Sequence, residues 1–190
     1  ASKQANVRRV IYSSTSSSYG HGHVPNHESL PEDCLTPYSV SKVAGEKLCR
    51  VYTDLYDLET VVLRYFNVYG DRSPLRGHYA PVIGKFLTQK KNNMPLTIIG
   101  DGSQTRDFTH ISDVVDANIL ASVCALPIAK QRVYNIGTGK PISIKELADM
   151  ISNDQVYLRK RPGEVRHTSA LNGKARTVLG KDKYVDLQDW

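Results

Sequence analysis

Apolar residues follow two rhythms along this chain. Val10-Ile11-Tyr12 and Val61-Val62-Leu63 are short continuous apolar runs bounded by polar residues, which predicts buried strands, and the mainly apolar segments 96–99 and 133–136 read as short strands too. Between the first two, Val40, Val43, Ala44, Leu48, Val51 and Leu55 recur at threes and fours. That spacing predicts a helix over 38–56 with this stripe buried; Pro37 suits its start, and Gly45 weakens it slightly. Two more helices are predicted over 80–90, with Val82, Ile83, Phe86 and Leu87 inward, and over 110–126, with Ile111, Val114, Val115, Ile119, Leu120 and Val123 on the apolar side. A fourth covers 143–151, where Ser143 caps and Glu146 completes a capping box. Residues 1–6 read as a helix end running into a strand over 7–12, with further strands over 60–65 and 155–158. Residues 21–36 and 70–79 read as loops. Strand, helix and strand alternating at short spacing predict a parallel sheet wrapped by helices, with room in 190 residues for one core or one core and a small lobe.

Charge narrows the partners. Lys and Arg total 25 against 19 Asp and Glu, a formal charge of +6, which suits a nucleic acid, an acidic surface or a small phosphorylated ligand. The cations crowd between Arg159 and Lys183 without interleaved aromatics or an RNA-binding signature, so no nucleic-acid partner is expected. Cys34, Cys49 and Cys124 have no metal-like or redox-like spacing and read as reduced thiols. His21, His23 and His27 lack a Cys or carboxylate pattern that would complete a metal site, and no metal is expected. No run approaches the about 18 apolar residues of a membrane span, and the N-terminus lacks an apolar signal core. A cytoplasmic protein without a membrane partner is the expectation.

The candidate chemistry starts at Tyr38. On a helix, Tyr38 and Lys42 share a face, close enough for the ammonium to stabilise a phenolate. A tyrosine titrates at about 10, so it removes protons at neutral pH only with positive charge beside it. Tyr-x-x-x-Lys recurs by chance in a chain with 11 tyrosines. Its neighbourhood makes it specific: an apolar strand enters the hydroxyl run Ser13-Ser14-Thr15-Ser16-Ser17-Ser18-Tyr19-Gly20 upstream, and Val61-Val62-Leu63-Arg64-Tyr65-Phe66-Asn67 follows downstream. With Thr105-Arg106-Asp107-Phe108 and Arg161-Pro162-Gly163-Glu164, in that order, the chain resembles the extended short-chain dehydrogenase/reductases, specifically the NAD-dependent nucleotide-sugar epimerases and dehydratases.

The resemblance implies an α/β fold: the C-terminal part of a Rossmann-type doubly wound parallel sheet (1–70 and 103–138) plus a small α/β substrate-binding lobe (71–102 and 139–190). The family's N-terminal βαβ cofactor units, with their Gly-x-x-Gly-x-x-Gly phosphate loop, have no counterpart in this sequence. A C-terminal fragment, lacking the main NAD-binding loop and inactive in isolation, is therefore expected. By position, Thr15 orients the sugar hydroxyl, Tyr38 removes its proton and Lys42 holds the phenolate. Ser13, Ser14 and Tyr65, with Tyr38 and Lys42, lie near the nicotinamide. Asn67, Arg106 and Arg161 hold the diphosphate and Glu164 the uridine ribose, while Leu96 and Ile98 bracket the base beside Phe108. Thr168 occupies the position that sets pocket size, and a small residue there resembles epimerases that admit an N-acetyl group.

The implied reaction is NAD-dependent epimerisation at C4 of a UDP-hexose or UDP-N-acetylhexosamine through a 4-keto intermediate. Family 4,6-dehydratases carry carboxylates after the threonine, where this chain has Ser16 and Ser17, so elimination is disfavoured. A non-catalytic nucleotide-sugar-binding fragment and a 4,6-dehydratase are the alternative readings. A homodimer through the Tyr38 helix is expected of the full-length protein. The sequence departs from the family pattern at Gly84, Leu171 and Lys181.

Overall fold

A computed structural model describes residues 1–74, 80–125, 132–160 and 165–190. In chain order the main elements are β1 (Arg9–Thr15), α1 (Pro37–Tyr56), β2 (Glu59–Tyr65), β3 (Val68–Tyr69), α2 (Val82–Lys91), β4 (Leu96–Ile99), β5 (Thr105–Arg106), β6 (Thr109–His110), α3 (Ile111–Val123), β7 (Val133–Ile136), β8 (Ile142–Ser143), α4 (Ile144–Ile151) and β9 (Gln155–Leu158). Short helical turns cover Ser16–Tyr19, Ala175–Leu179 and Leu187–Asp189.

A parallel three-stranded sheet in the order β1-β2-β7 organises the molecule. Its middle strand is buried from Thr60 to Arg64, as a strand covered on both faces must be. Alternation divides the work. Tyr12 and Ser14 of β1 and Arg64 of β2 meet α1, whereas Ile11, Val61 and Leu63 pack with Val114, Ala117 and Ala121 of α3. Helices on both faces of a parallel sheet are the doubly wound arrangement expected from the sequence. A second core surrounds the parallel pair β4–β9, where Leu96 and Ile98 pack with Ile83 and Phe86 of α2, Phe108, and Ile144, Leu147 and Ala148 of α4. The chain then returns to the first core, because Ala175 and Leu179 are buried there with Tyr134 and Ile136.

Several expectations change. The first strand starts at Arg9 and runs through Thr15, so Ser13 and Ser14 are strand residues. Residues 1–6 form turns closed by Asn6 in the left-handed region at φ 52°. The stripe assigned to the interior of α1 is largely outside: Val40 is 54% exposed, Leu48 59% and Leu55 68%. Ser39 and Glu46 are the buried side chains of this helix. Gly45 is buttressed, because a Cβ there would run into the Tyr12 hydroxyl and ring, and its lack of side chain lets α1 approach β1. On α3, Val114 is buried as expected, but Ile111, Val115, Ile119 and Val123 are exposed. On α2, Ile83 and Phe86 are buried and Leu87 is exposed. The Ser143–Glu146 capping box is present, and α1 has a second, between Thr36 and Ser39.

Lys181, a departure from the family pattern, is buried and compensated. Its ammonium donates to Asp113 at 2.8 Å and to the Lys183 carbonyl at 2.6 Å. Among the described residues no helix is long and apolar enough to cross a membrane.

Candidate active site at the carboxyl ends of the sheet

Parallel strands leave their carboxyl ends as the place where side chains from different segments converge. Here β1 ends at Thr15, β2 at Tyr65, and α1 opens beside them. The Thr36 hydroxyl accepts the Ser39 N–H at 3.1 Å, and Pro37 sits in the first turn, so the start of α1 is held in place. Tyr38 projects from that turn, 50% exposed. One turn on, the Lys42 ammonium donates to the Ser13 carbonyl at 3.0 Å and lies 5.9 Å from the Tyr38 ring centroid and 5.5 Å from that of Tyr12. Lys42 thereby joins the Tyr38 helix to the end of β1. Burial raises the Tyr12 phenol above its ordinary range, which keeps it neutral beside this cation.

Ser13 is exposed, with its hydroxyl 3.0 Å from that of Tyr65. Asn118 of α3 donates to the same Tyr65 hydroxyl at 3.0 Å. Ser13, Tyr65 and Lys42 thus form one accessible polar edge, chemically suited to the hydroxyl and amide groups of a nicotinamide riboside. Ser14 is not part of it. Only 3% exposed, it points to the opposite face of β1 and donates to Glu46, so the expectation that it lies against the cofactor is corrected by strand alternation. The Thr15 hydroxyl accepts the Ser17 N–H at 3.1 Å and caps the Ser16–Tyr19 turn.

Behind these residues lies a buried polar network. Arg64 grips Glu46 through two bonds, Nε to Oε1 at 2.9 Å and Nη2 to Oε2 at 2.6 Å. Its guanidinium carbon stands 4.8 Å from the Tyr19 ring centroid, and the Tyr19 hydroxyl donates to Asn135 at 2.7 Å. Burial pushes the Tyr19 phenol up to about 12. Burial opposes the Arg64 charge, but its bonds to Glu46 outweigh this and leave the guanidinium more firmly protonated than usual.

The substrate-side residues divide. Asn67 and Thr168 come together, Asn67 Nδ2 donating to the Thr168 hydroxyl at 3.2 Å. Arg106 Nη1 donates to the carbonyls of Thr105 and Arg166, at 2.9 and 3.2 Å. Asp107 is fully buried, and its carboxylate accepts from the Thr138 N–H and hydroxyl, the Gly139 N–H and the Ala170 N–H. It clamps the strand carrying Arg106 to the segment carrying Thr168. Leu96 and Ile98 are 0% exposed, so neither presents a face to a nucleotide base, whereas Phe108, 5% exposed, lines a cavity of about 520 Å³ with Ile142, Met150 and Leu187. Alternation along β4 turns Thr97 and Ile99 to the other, half-exposed side. Ile99, with Gln104, Lys160, Val165 and Arg166, lines a cavity of about 280 Å³. Arg161 and Glu164 lie outside the described residues. Among those described, no group of His, Cys, Asp or Glu side chains could hold a metal ion.

Sequence reasoning passed over Glu46, Asp107 and Asn118. The signal for Glu46 was available, since it continues the four-residue spacing of Tyr38 and Lys42 along one helix face.

Comparison with known proteins supplies the context. Residues 1–137 match the NAD dependent epimerase/dehydratase family. UDP-glucose 4-epimerase of Mycolicibacterium smegmatis is 34% identical over 197 residues, covering 100% of this chain and 62% of the relative. UDP-N-acetylglucosamine 4-epimerase from Methanobrevibacter ruminantium, solved with UDP-N-acetylmuramic acid, superposes with a TM-score of 0.91 at 32% identity, covering 99% of this chain and 61% of that one. UDP-glucuronic acid 4-epimerase from Bacillus cereus, solved with UDP-glucuronic acid and NAD, superposes with a TM-score of 0.86 at 35% identity, covering 99% and 60%. The chain therefore spans about three fifths of the length of these relatives. On the match over residues 1–137, the Rossmann-like sheet and these similarities across the described fold, the chain belongs to the NAD-dependent epimerase/dehydratase family.

Proposed function

We propose that this chain carries the proton-transfer and substrate side of an NAD-dependent UDP-sugar 4-epimerase. The observation that carries the reading is the Lys42 bond to the Ser13 carbonyl, which sets the Tyr38 turn of α1 against the end of β1. Tyr38 accepts the proton of the sugar 4-hydroxyl, with the Lys42 ammonium 5.9 Å from its ring centroid as the neighbouring positive charge. Thr15 exchanges its local bond with Ser17 for one to the same hydroxyl. NAD, when bound, supplies the oxidising and reducing equivalents at C4, and Ser13, Tyr65, Tyr38 and Lys42 are the residues of this chain that would hold its nicotinamide end. The 4-keto sugar so formed is re-reduced after turning its other face, and Tyr38 returns the proton.

Asn67, Arg106 and Arg161 are assigned to the diphosphate, where planar guanidinium forks suit phosphate oxygens, and Glu164 to the ribose. Thr168, a small residue that accepts from Asn67, is assigned to the pocket-size position, which favours UDP-N-acetylglucosamine beside UDP-glucose. Ser16 and Ser17 offer no carboxyl to protonate a leaving hydroxyl, which weighs against a 4,6-dehydratase. The exposed apolar residues Val40, Leu48, Val51 and Leu55 on α1 favour self-association into a homodimer.

The test is Tyr38→Phe in the full-length protein. Turnover of UDP-hexose should fall by two or more orders of magnitude, with nucleotide-sugar affinity within about threefold of wild type, as loss of a general base requires. Near-normal turnover would remove Tyr38 from the chemistry.

A further inference from the structure

We infer that Glu46 is a positioning residue of this site. Its carboxylate fixes the roll of α1 about its own axis, and so the direction in which Tyr38 and Lys42 face β1. The inference rests on the reading of Tyr38 and Lys42 as the proton-transfer pair.

A helix lying on a sheet is normally oriented by its apolar stripe. In α1 that device is weak, because Val40, Leu48, Val51 and Leu55 are exposed and Val43 is only half-buried. The sheet-facing side instead carries Ser39, Gly45 and Glu46, and Glu46 is 6% exposed. Burying a charged pair in place of apolar residues of similar volume gives little or no net stability, so stability alone is a poor explanation for a carboxylate here. What the pair supplies is geometry. The planar Arg64 fork meets both oxygens of Glu46, which defines the angle between helix and strand as well as their separation. The Ser14 hydroxyl donates to Oε1, and Ser14 and Arg64 are direct partners in the β1–β2 ladder, so one carboxylate is anchored to two neighbouring strands at one level.

The anchoring level matters as much as the anchoring. Ser14 lies between Ser13, whose carbonyl receives Lys42, and Thr15. Glu46 stands one helical turn beyond Lys42 and two beyond Tyr38, on the same side of the helix. Arg64 also packs on Tyr19, from the turn that Thr15 caps. The pair thereby ties the turn after Thr15 and the helix of Tyr38 and Lys42 to a common buried point. Loss of this point lets the helix roll, and a displacement of about 1 Å at reacting groups costs on the order of 10²-fold in rate.

The experiment uses full-length protein with Glu46→Gln, Ser14→Ala and Ser14→Thr, together with reductively ¹³C-methylated samples in which the Lys42 resonance is assigned through Lys42→Arg. The Gln side chain keeps the shape of Glu46 but loses the charge and one of the acceptors facing the fork. Glu46→Gln and Ser14→Ala should lower kcat by about 10- to 100-fold with KM changed less than threefold, and should shift the Lys42 methyl resonance. Ser14→Thr keeps the hydroxyl and should return both readouts towards wild type. A purely stabilising pair would lower the melting temperature of Glu46→Gln while leaving kcat and the Lys42 resonance unchanged well below that temperature, and this result would overturn the inference. Should Glu46→Gln fail to fold, Ser14→Ala decides by the same readouts. A wild-type enzyme without epimerase activity would overturn the functional reading alone, since the Lys42 resonance still reports the orientation of α1.

Discussion

Replacing Asp107 by Asn removes one negative charge at the junction between the two cores. Asp107 is fully buried. Its Oδ1 accepts the Thr138 N–H at 2.9 Å and the Thr138 hydroxyl at 2.7 Å, and Oδ2 accepts the Gly139 and Ala170 N–H groups at 2.9 and 2.8 Å. An Asn amide can keep its oxygen towards Thr138, which leaves two N–H groups facing an NH₂. Turned over, it serves Gly139 and Ala170 but orphans the Thr138 N–H, while the Thr138 hydroxyl rotates to accept. The second orientation is the cheaper. It leaves one buried donor unsatisfied at about 1–3 kcal/mol and weakens the remaining bonds by removing their charge, for a total of about 2–4 kcal/mol. Asp107→Ala orphans three N–H groups at once and should cost more. With a urea m-value of about 2 kcal/mol/M, Asp107→Asn should lower the unfolding midpoint by about 1–2 M. Asp101→Asn is the control: it changes an exposed turn carboxylate that accepts from Ser103, and its effect should stay within about 0.5 kcal/mol. If Asp107→Asn moves the midpoint no further than this control, the reading of Asp107 as the clamp between Arg106 and Thr168 is wrong.

Gly45→Ala would add helix propensity worth about 1 kcal/mol, but its Cβ meets the Tyr12 ring, so thermal unfolding should show a net loss of about 1–2 kcal/mol; a more stable variant would contradict the close approach of α1 to β1. Alkali tests the buried phenol of Tyr19. Its folded-state value is raised to about 12 against an unfolded value of about 10, so its contribution to stability is complete below pH 10 and is lost as pH rises through 12. Urea midpoints should fall over that window in wild type and less steeply in Tyr19→Phe; parallel curves would refute the assignment. Thr168→Tyr in the full-length protein should reduce kcat/KM for UDP-N-acetylglucosamine about 10- to 100-fold more than for UDP-glucose. Equal losses on the two substrates would show that Thr168 does not set pocket size.

The strands of the sheet were legible because buried strands leave largely apolar runs, even with Asn135 inside β7, and Ser143 with Glu146 announced the start of α4 through side chains that bond their own backbone. The two-residue strands β3, β5, β6 and β8 were not, since two residues carry no periodicity. The orientation of α1 was misread for a physical reason. Its apolar residues do repeat at helical spacing, but in the described fold a buried ion pair and a glycine face the sheet, and periodicity cannot say which of two faces is turned inward. Of the candidate site, Tyr38, Lys42, Ser13 and Tyr65 stand at one edge, and Asn67 meets Thr168 across a long loop of chain. The misplacement of Leu96 and Ile98 is a shift of one strand position, which exchanges the buried face of β4 for its accessible one. Ser14 failed the same way: in a run of consecutive hydroxyl residues, only the pleat decides which side chain reaches the cofactor edge.

The most direct test is proton NMR of the full-length protein incubated in D₂O with NAD and, separately, UDP-glucose and UDP-N-acetylglucosamine. The anomeric signal of the corresponding 4-epimer should grow in, with the hydrogen at C4 retained and no deuterium entering the ring from solvent. A 4-keto-6-deoxy sugar, solvent deuterium at C5, or no conversion of either substrate would contradict C4 epimerisation at the Tyr38 site.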